Sequence, residues 1–460
     1  MRILIFPIKL LQHQAENKIS QMLDAQLKLI NDTKRFLNFF NKKTFKPYFN
    51  SIFYLATYIN FIGSSFLRYI ANENNNKFSN LAHIYKDILY SLNYTNYKIY
   101  HPKRVFKYDK IILTWANKNN FDRKGLLHDK YFNIRSDSIK KTLWFVVYLD
   151  KEVPKKINEN ILIFKPLSKE WPNLIKFIQI NIQNSYLILK NFKFFLASIS
   201  NHNFFANIFV NAINPFLNNK VKHIIMPYEG QPFQNRLVAL IKKKDIKAVI
   251  IGYIHSPPLA MPTNFIYKKH SPDKIILNGA DQVYCFTKLL GWKKSKIKLL
   301  PSFRFKKNKV NFRKKIFLPA SVNSPSKIVN SLKFLNNQGY IDLKNYNIQN
   351  HPTAFAKKNN LITITLIEIL KKNLKPRENK NKNNFSIFAG NSGGIIEALE
   401  RGAEVIQISE FSLFDTYSKK IWPSILSKKI NKNIYFYKLK KKGNLIKLGH
   451  KHQKIYKMFN

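Results

Sequence analysis

Three short segments carry the residue types that chemistry at a hydroxyl or a phosphate requires. The first is Ile224-Ile-Met-Pro-Tyr-Glu229-Gly230-Gln231-Pro232-Phe233-Gln234-Asn235-Arg236, a buried-strand pattern that runs into a turn and then a helix. Glu229 falls at the carboxyl end of that strand, where α/β sheets present catalytic and ligand-binding groups. Its carboxylate can deprotonate an acceptor hydroxyl, or it can complement the dipole of the following helix. After the next strand, Gly252-Tyr-Ile-His255-Ser256-Pro257-Pro258 brings His255 and Ser256 to the same edge. These two, with Gln231, are candidate acceptor contacts, and a structural role for His255 stands beside that reading.

The second segment is Tyr346-Asn-Ile-Gln-Asn-His351-Pro352, a short strand ending in an imidazole that can donate to a phosphate oxygen or protonate a leaving group. Pro352 is expected to fix the loop and start the next helix. The third segment is Phe385-Ser-Ile-Phe-Ala-Gly-Asn391-Ser392-Gly393-Gly394-Ile-Ile-Glu397, a strand, a small polar turn and a helix start. Unpaired N–H groups at a helix start favour an anion, and glycines let a phosphate come close to the backbone. Asn391 or Ser392 can equally serve only as the helix cap, and Glu397 can either hold a ribose hydroxyl or complement the dipole. Ser321, after the strand Ile316–Leu318, joins Asn391, Ser392, Gly393, Gly394 and Glu397 in the candidate donor-binding set.

Together these segments resemble bacterial sialyltransferases and polysialyltransferases and, more loosely, the capsule Kdo transferases. Those families have an acidic pair before Gly in the N-terminal domain, then His-Pro, then Ser-Ser or Ser-Thr in the C-terminal domain. Tyr228-Glu229-Gly230 matches the acidic motif with its first acid replaced, His351-Pro352 matches the second, and Asn391-Ser392-Gly393 matches the third in part. The region from Tyr228 to Phe305 is also similar to surface-carbohydrate biosynthesis proteins that share a Tyr-Glu-(Gly or Asn)-Gln-Pro run. The resemblance implies a GT-B glycosyltransferase that moves an acidic sugar from a CMP-activated donor to a glycan or lipid-linked acceptor. It implies Glu229 as the base, His351 as acid or phosphate ligand, and Ser392 as phosphate ligand. No DxD-type motif follows a suitable strand, so the expectation is metal-independent transfer without a resident cofactor. Rival readings are a GT-B-fold sugar-nucleotide epimerase, a non-enzymatic basic adaptor, and a degenerate transferase retained for assembly.

The elements that must position these residues are legible in outline. Short apolar runs at Ile111–Trp115, Leu143–Tyr148, His223–Met226 and Ala248–Tyr253 read as buried parallel strands, with a helix at Gln234–Lys244 between the last two. From Ile316 the pattern alternates: strand 316–318, helix 326–336, strand 346–348, helix 360–371, a Lys/Asn-rich loop, strand 385–388, helix 394–401 and strand 405–408. The expectation is an α/β fold of two doubly wound, Rossmann-like domains facing a central cleft. Residues 1–305 form the acceptor-binding domain, with a helical region over about 12–100, and residues 306–460 form the nucleotide-sugar-binding domain. Met1–Leu11 reads as a first strand, and Tyr48–Ala71 as a buried helix or a membrane-surface one.

The chain has 460 residues, 45% of them hydrophobic, enough for a large core. Its formal net charge is +54, from 79 Lys plus Arg against 25 Asp plus Glu, which attracts nucleic acid, anionic lipid or anionic substrates. The abundance of Lys, Asn, Ile, Phe and Tyr also fits compositional drift in an AT-rich genome. Because Lys is spread along the chain and not gathered with aromatics in one stripe, nucleic acid is not the expected partner. The sole cysteine, Cys285, excludes an intramolecular disulfide and a CxxC metal site, as suits reducing cytosol. Lys-rich faces can hold such a protein at an anionic inner leaflet, where lipid-linked acceptors reside.

Overall fold

The structure is a computed structural model that describes residues 96–101, 106–148, 150–167, 201–307, 310–351, 358–374, 384–390, 392–410, 415–450 and 455–459, with scattered positions in 26–34 and 174–182. The expectations for Met1–Leu11 and Tyr48–Ala71, for most of the 12–100 helical region, and for Pro352 and Asn391 lie outside these residues.

The strands of the first half are β1 (Tyr97–Tyr100), β2 (Lys110–Ala116), the short pair β3 (His128–Asp129) and β4 (Ile134–Arg135), β5 (Thr142–Tyr148), β6 (Ile161–Pro166), β7 (His223–Pro227), β8 (Val249–Tyr253), β9 (Lys274–Leu277) and β10 (Ile297–Leu299). Eight of them form one sheet in the order β1-β6-β5-β2-β7-β8-β9-β10. Its neighbours are parallel except β1, which is antiparallel to β6. From β2 the chain builds outward to β5 and β6, then returns to place β7 on the other side. A crevice therefore opens beyond the carboxyl ends of β2 and β7, where strand order reverses.

Central strands buried on both faces need unbroken apolar sequence, and every residue of β5, Thr-Leu-Trp-Phe-Val-Val-Tyr, is buried. One face is covered by helices α1 (Asn201–Ile213) and α2 (Pro232–Lys243), whose Phe209, Leu237 and Ile241 share a cluster with Phe145, Phe164 and Ile224. The other face is covered by irregular chain: Leu127, Phe132 and Phe303, with Ile455 and Met458, pack on Ile112, Trp144, Ile225 and Ile251.

A short helix α3 (Ala280–Tyr284) lies between β9 and β10 of the first half; the second half contains β11 (Lys315–Phe317), α4 (Pro325–Asn337), β12 (Asn347–Gln349), α5 (Lys358–Asn373), β13 (Ser386–Ala389), α6 (Gly394–Glu400), β14 (Val405–Ile408), β15 (Ile425–Asn431) and β16 (Ile434–Leu439). Its sheet runs β12-β11-β13-β14-β16-β15. The first four strands are parallel and the last two form an antiparallel hairpin against β14. Strand order reverses again, here between β11 and β13, giving a second crevice at carboxyl ends.

The halves share a core, since Phe388, Ile395, Tyr417 and Trp422 belong to the same buried cluster as Ile224, Phe265 and Cys285. Two carboxylates reinforce the junction. Asp281 accepts from the Ser424 amide at 2.7 Å and its hydroxyl at 2.9 Å. Glu400 accepts from the amides of Gly443 (2.5 Å), Leu445 (2.8 Å) and Ile446 (2.9 Å), and burial pushes its carboxyl above the ordinary value. The segment held by Glu400 then runs back to the first half: Gln282 donates to the Leu445 carbonyl at 2.9 Å, Lys447 N–H to Asn278 at 2.7 Å, and Ser302 N–H to Lys447 at 2.8 Å. Gly279 faces this strap closely enough that a Cβ would sit 2.2 Å from the Asn444 carbonyl oxygen.

Four differences from the sequence expectation have physical causes. The end of the 12–100 helical region is a strand, because Tyr97-Lys-Ile-Tyr100 pairs with β6 and packs the Tyr97 ring, tilted, against Phe164 at 5.6 Å. The β2–β5 crossover, residues 117–141, holds no α-helix; its Asn, Asp and Gly residues favour turns, and it forms short 3-10 pieces and the β3–β4 pair. The second half is therefore mixed, not purely parallel, since the half-exposed Lys-rich β15 closes its edge as a hairpin. Finally, β6, β9 and β10 are strands for which no alternation stood out. Among the described residues no helix is long and apolar enough to cross a membrane.

Glu400→Ala strands three backbone donors at the junction, two of them buried. It should lower unfolding free energy by about 2–4 kcal/mol in a urea titration, and an unchanged midpoint would contradict the part given to this carboxylate.

Candidate functional site

At the first crevice, a single side chain shapes the turn after β7. Gln234 is buried; its Oε1 accepts from the amides of Glu229 and Gln231, both at 3.0 Å, and its Nε2 donates to the Pro227 carbonyl at 2.6 Å. The intervening Gly230 adopts φ +69°, and a Cβ there would lie 2.2 Å from the Asn264 carbonyl oxygen, so glycine is required on both counts. Asn264 in turn donates to the Glu229 carbonyl. The Glu229 backbone is thus fixed on both sides before its carboxylate does anything.

That carboxylate meets two donors. His255 Nε2 lies 3.2 Å from Oε1, and the Gln231 amide donates to Oε2. His255 is 3% exposed, and its Nδ1 has no hydrogen-bond partner among the described residues. Its ring meets the Tyr131 ring edge-on at 4.6 Å. Tyr131 is held by Asp129, whose Oδ1 accepts from the Tyr131 amide at 2.8 Å and the Phe132 amide at 2.6 Å while Thr114 of β2 donates to Oδ2. Trp115, next along β2, packs edge-on against both Tyr131 and Phe233. Two cations flank the Tyr131 ring, Lys130 Nζ at 5.3 Å and the Arg304 guanidinium at 5.9 Å.

Burial would push the Glu229 carboxyl up. The hydrogen bond and charge of His255, the Gln231 amide and the charge of Arg304 outweigh it and hold the carboxyl below its ordinary value. Asp129 goes the other way: full burial raises it despite its hydrogen bonds and the nearby His255. Burial, followed by the charge of Glu229, raises the Tyr131 phenol. Burial and then the Arg304 charge lower Lys130. The crevice therefore combines an ionised carboxylate on an imidazole with a neutral phenol and two cations at its rim.

At the second crevice, Gly390 follows β13 with φ +64° and faces Glu410 and Pro319. Ser392 Oγ accepts from the Gly394 amide at 3.2 Å and its carbonyl from Ile395 at 3.1 Å, so this hydroxyl serves the start of α6. Glu397 is bound by Arg401, at 3.1 Å from Nε and 2.8 Å from Nη2, and Arg401 also reaches the Lys306 carbonyl. Ser321 is exposed beyond β11. Past it, Glu410 accepts from the amides of Asn323 (2.8 Å) and Ser324 (2.9 Å) at the start of α4. His351 is exposed beyond β12, with its amide donating to Asn350 Oδ1 at 3.1 Å. Gln349, Phe317 and Phe388 are level across three strands, so His351 and Gly390 each stand two residues past that level and about 10 Å apart laterally.

The two crevices meet. Gly393 lies against Pro257, where a Cβ would be 3.0 Å from the proline ring, and Tyr417 donates to the Pro258 carbonyl at 3.0 Å. The loop carrying His255 and the half-buried Ser256 therefore touches the turn carrying Ser392, Gly393 and Gly394.

Of the candidates, Glu229, Gln231 and His255 are in direct contact, while His351, Ser321 and Ser392 share the carboxyl edge of the other sheet. Asp129, Tyr131, Asn264 and Arg304 were not among them. Asp129 and Tyr131 sit in a crossover with no periodic pattern, and Arg304 reads as part of a Lys/Arg-rich linker. Gln234 did carry a signal, since Gln231-x-x-Gln234 is the spacing of reciprocal capping at a helix start. No family model and no curated protein matches the chain.

Replacing His255 by Gln should raise the Glu229 pKa, read by carboxyl-carbon NMR. A lowered folded-state carboxyl stabilises above its unfolded value and loses that stabilisation as pH falls through the folded one. The stability gap between wild type and His255→Gln should thus be complete above the ordinary glutamate value of 4.5 and close below it; a gap that persists in acid would refute the pairing.

Proposed function

We propose that this protein is a GT-B-like, metal-independent glycosyltransferase of surface-polysaccharide biosynthesis. Its donor is a CMP-activated acidic sugar of the sialic acid, nonulosonate or Kdo class, and its acceptor a glycan or lipid-linked glycan. The observation that carries this reading is the Glu229–His255 pair at one strand-order reversal, on a loop in contact with the Ser392–Gly394 turn at the other. A base and a candidate phosphate seat are thus borne by separate sheets whose carboxyl edges adjoin, as transfer between two substrates requires.

In the proposed reaction the acceptor hydroxyl enters the first crevice and Glu229 takes its proton as the oxygen attacks the anomeric carbon. The bond from that carbon to the phosphate oxygen breaks, and the electron pair leaves with cytidine monophosphate. Gln231 and His255 orient the Glu229 carboxylate and keep it ionised, so that it is ready at neutral pH. His351 and the Ser392 turn stand at the edge where the leaving phosphate would sit. Apolar walls from Trp115, Tyr131 and Phe233 keep water from the base.

Calorimetry with a panel of CMP- and UDP-sugars tests the donor class, and incubation of the tightest binder without acceptor separates transfer from epimerisation. With the donor in hand, Glu229→Gln should cut kcat on the order of 10²–10⁴-fold while donor affinity stays within about twofold. His351→Ala should lose comparable turnover; near-normal rates in both purified variants sink the roles. For the wild type, the acid limb of kcat/KM should fall below pH 4.5, following the lowered Glu229 carboxyl.

A further inference from the structure

Helix α5 has one side in the protein and one outside it, and the outer side carries an apolar stripe. Inward, Asn360, Thr363 and Ile367 are fully buried. Outward, Leu361 is 50% exposed, Ile362 38%, Leu366 36% and Ile369 49%. With 100° per residue, these four and the exposed Lys358, Thr365 and Lys372 fall within an arc of about 140°. Lysines stand at both ends of the stripe and apolar side chains along its middle. The acid nearest the stripe, Glu368, is engaged by Lys371 at 3.1 Å.

We propose that this face of α5 docks the protein on an anionic membrane surface, with Leu361, Ile362, Leu366 and Ile369 entering the headgroup–acyl boundary and Lys358 and Lys372 at the headgroups. Charge complementarity selects this occupant. A protein of net charge +54 is drawn to an anionic leaflet and repelled by a second copy of itself. An apolar stripe bracketed by lysines is the pattern of a helix that lies in the interface plane.

The helix is also placed to matter. Its first turn is tied to the second crevice: Asn360 Nδ2 donates to the Pro319 carbonyl at 2.9 Å and to Asn350 Oδ1 at 3.0 Å, and Asn359 donates to the Val322 carbonyl at 3.1 Å. Docking through α5 therefore sets the rim bearing His351 and Ser321 close to the headgroups. That consequence rests on the proposed function; the docking does not.

The test uses the full-length protein and phosphatidylcholine vesicles with or without phosphatidylglycerol, and no sugar donor, so its outcome is independent of transferase activity. Wild type should co-sediment with the anionic vesicles. The combined variant Leu361→Gln, Ile362→Gln, Leu366→Gln, Ile369→Gln should bind at least roughly tenfold more weakly at the same salt. Removing two exposed lysines of the β15–β16 hairpin, Lys428→Gln and Lys440→Gln, should cost less than about threefold. Equal loss in both variants, or none in the first, overturns the proposal, as does a light-scattering mass showing that the face joins two copies. An environment-sensitive dye on Ile369→Cys, with Cys285 buried, supplies a second reading in an otherwise intact protein. Its emission should shift to the blue on anionic vesicles, and an unshifted spectrum also overturns the proposal.

Discussion

The arrangement depends on one constraint, the hold that two buried carboxylates exert on the passage between the sheets. Glu400 and Asp281 belong to different halves, yet each is satisfied by chain flanking the β15–β16 hairpin, Glu400 by the amides of Gly443, Leu445 and Ile446 after it and Asp281 by Ser424 before it. Asn444 bridges them, donating to Ser424 Oγ at 2.8 Å while its carbonyl accepts from the Asp281 amide at 2.9 Å. A carboxyl group is costly to bury without partners, and hydrogen bonds to its oxygens are worth more there than in water. The chain is thereby held to one path, and only on that path do the loops after β8 and β13 come into contact. The relation between the crevices follows from polar groups well away from both.

Within the first crevice the same balance is set differently. Glu229 and Asp129 are both carboxylates out of bulk water, and their environments push them in opposite directions. Asp129 spends its oxygens on two amides and a threonine hydroxyl, and so shapes the loop that carries Tyr131. Glu229 faces an imidazole and a primary amide and stays charged. Two acids split in this way leave one carboxyl fixed in the loop structure and the other ionised beside an imidazole.

Much of this was legible in the sequence because local pattern and tertiary role agreed. Runs such as Ile111–Trp115 and Val405–Ile408 are mostly apolar because both faces of their strands are covered, and the strand–turn–helix at Glu229 is written in its residues. Other parts were illegible for a physical reason. Asp129, Tyr131 and Arg304 reach the crevice from an irregular crossover and from the passage between halves, where position is fixed by long-range packing and hydrogen bonds, not by any period. The β15–β16 hairpin sets the adjacent Lys428 and Lys429 among apolar residues on a half-exposed edge, a weak pattern in a chain where lysine is everywhere. Glu397 carried two readings in the sequence, a ribose ligand or a complement to the helix dipole, and what the sequence did not mark is its contact with Arg401 one turn later.

The return of the chain to the first sheet has a consequence for how the protein is made. Ile455 and Met458 close the face formed by Ile112, Trp144, Ile225 and Ile251, and they lie beyond the whole second sheet in sequence. During synthesis the first sheet leaves the ribosome long before the last part of its cover does. Its helix-covered face, and the part of the other face under Leu127, Phe132 and Phe303, can assemble early, whereas the part under Ile455 and Met458 stays open while the second half is translated and folds. The two halves are thus not successive beads on a string: the earlier one is finished last, and its exposure in the interval is where a nascent chain would be most in need of a chaperone.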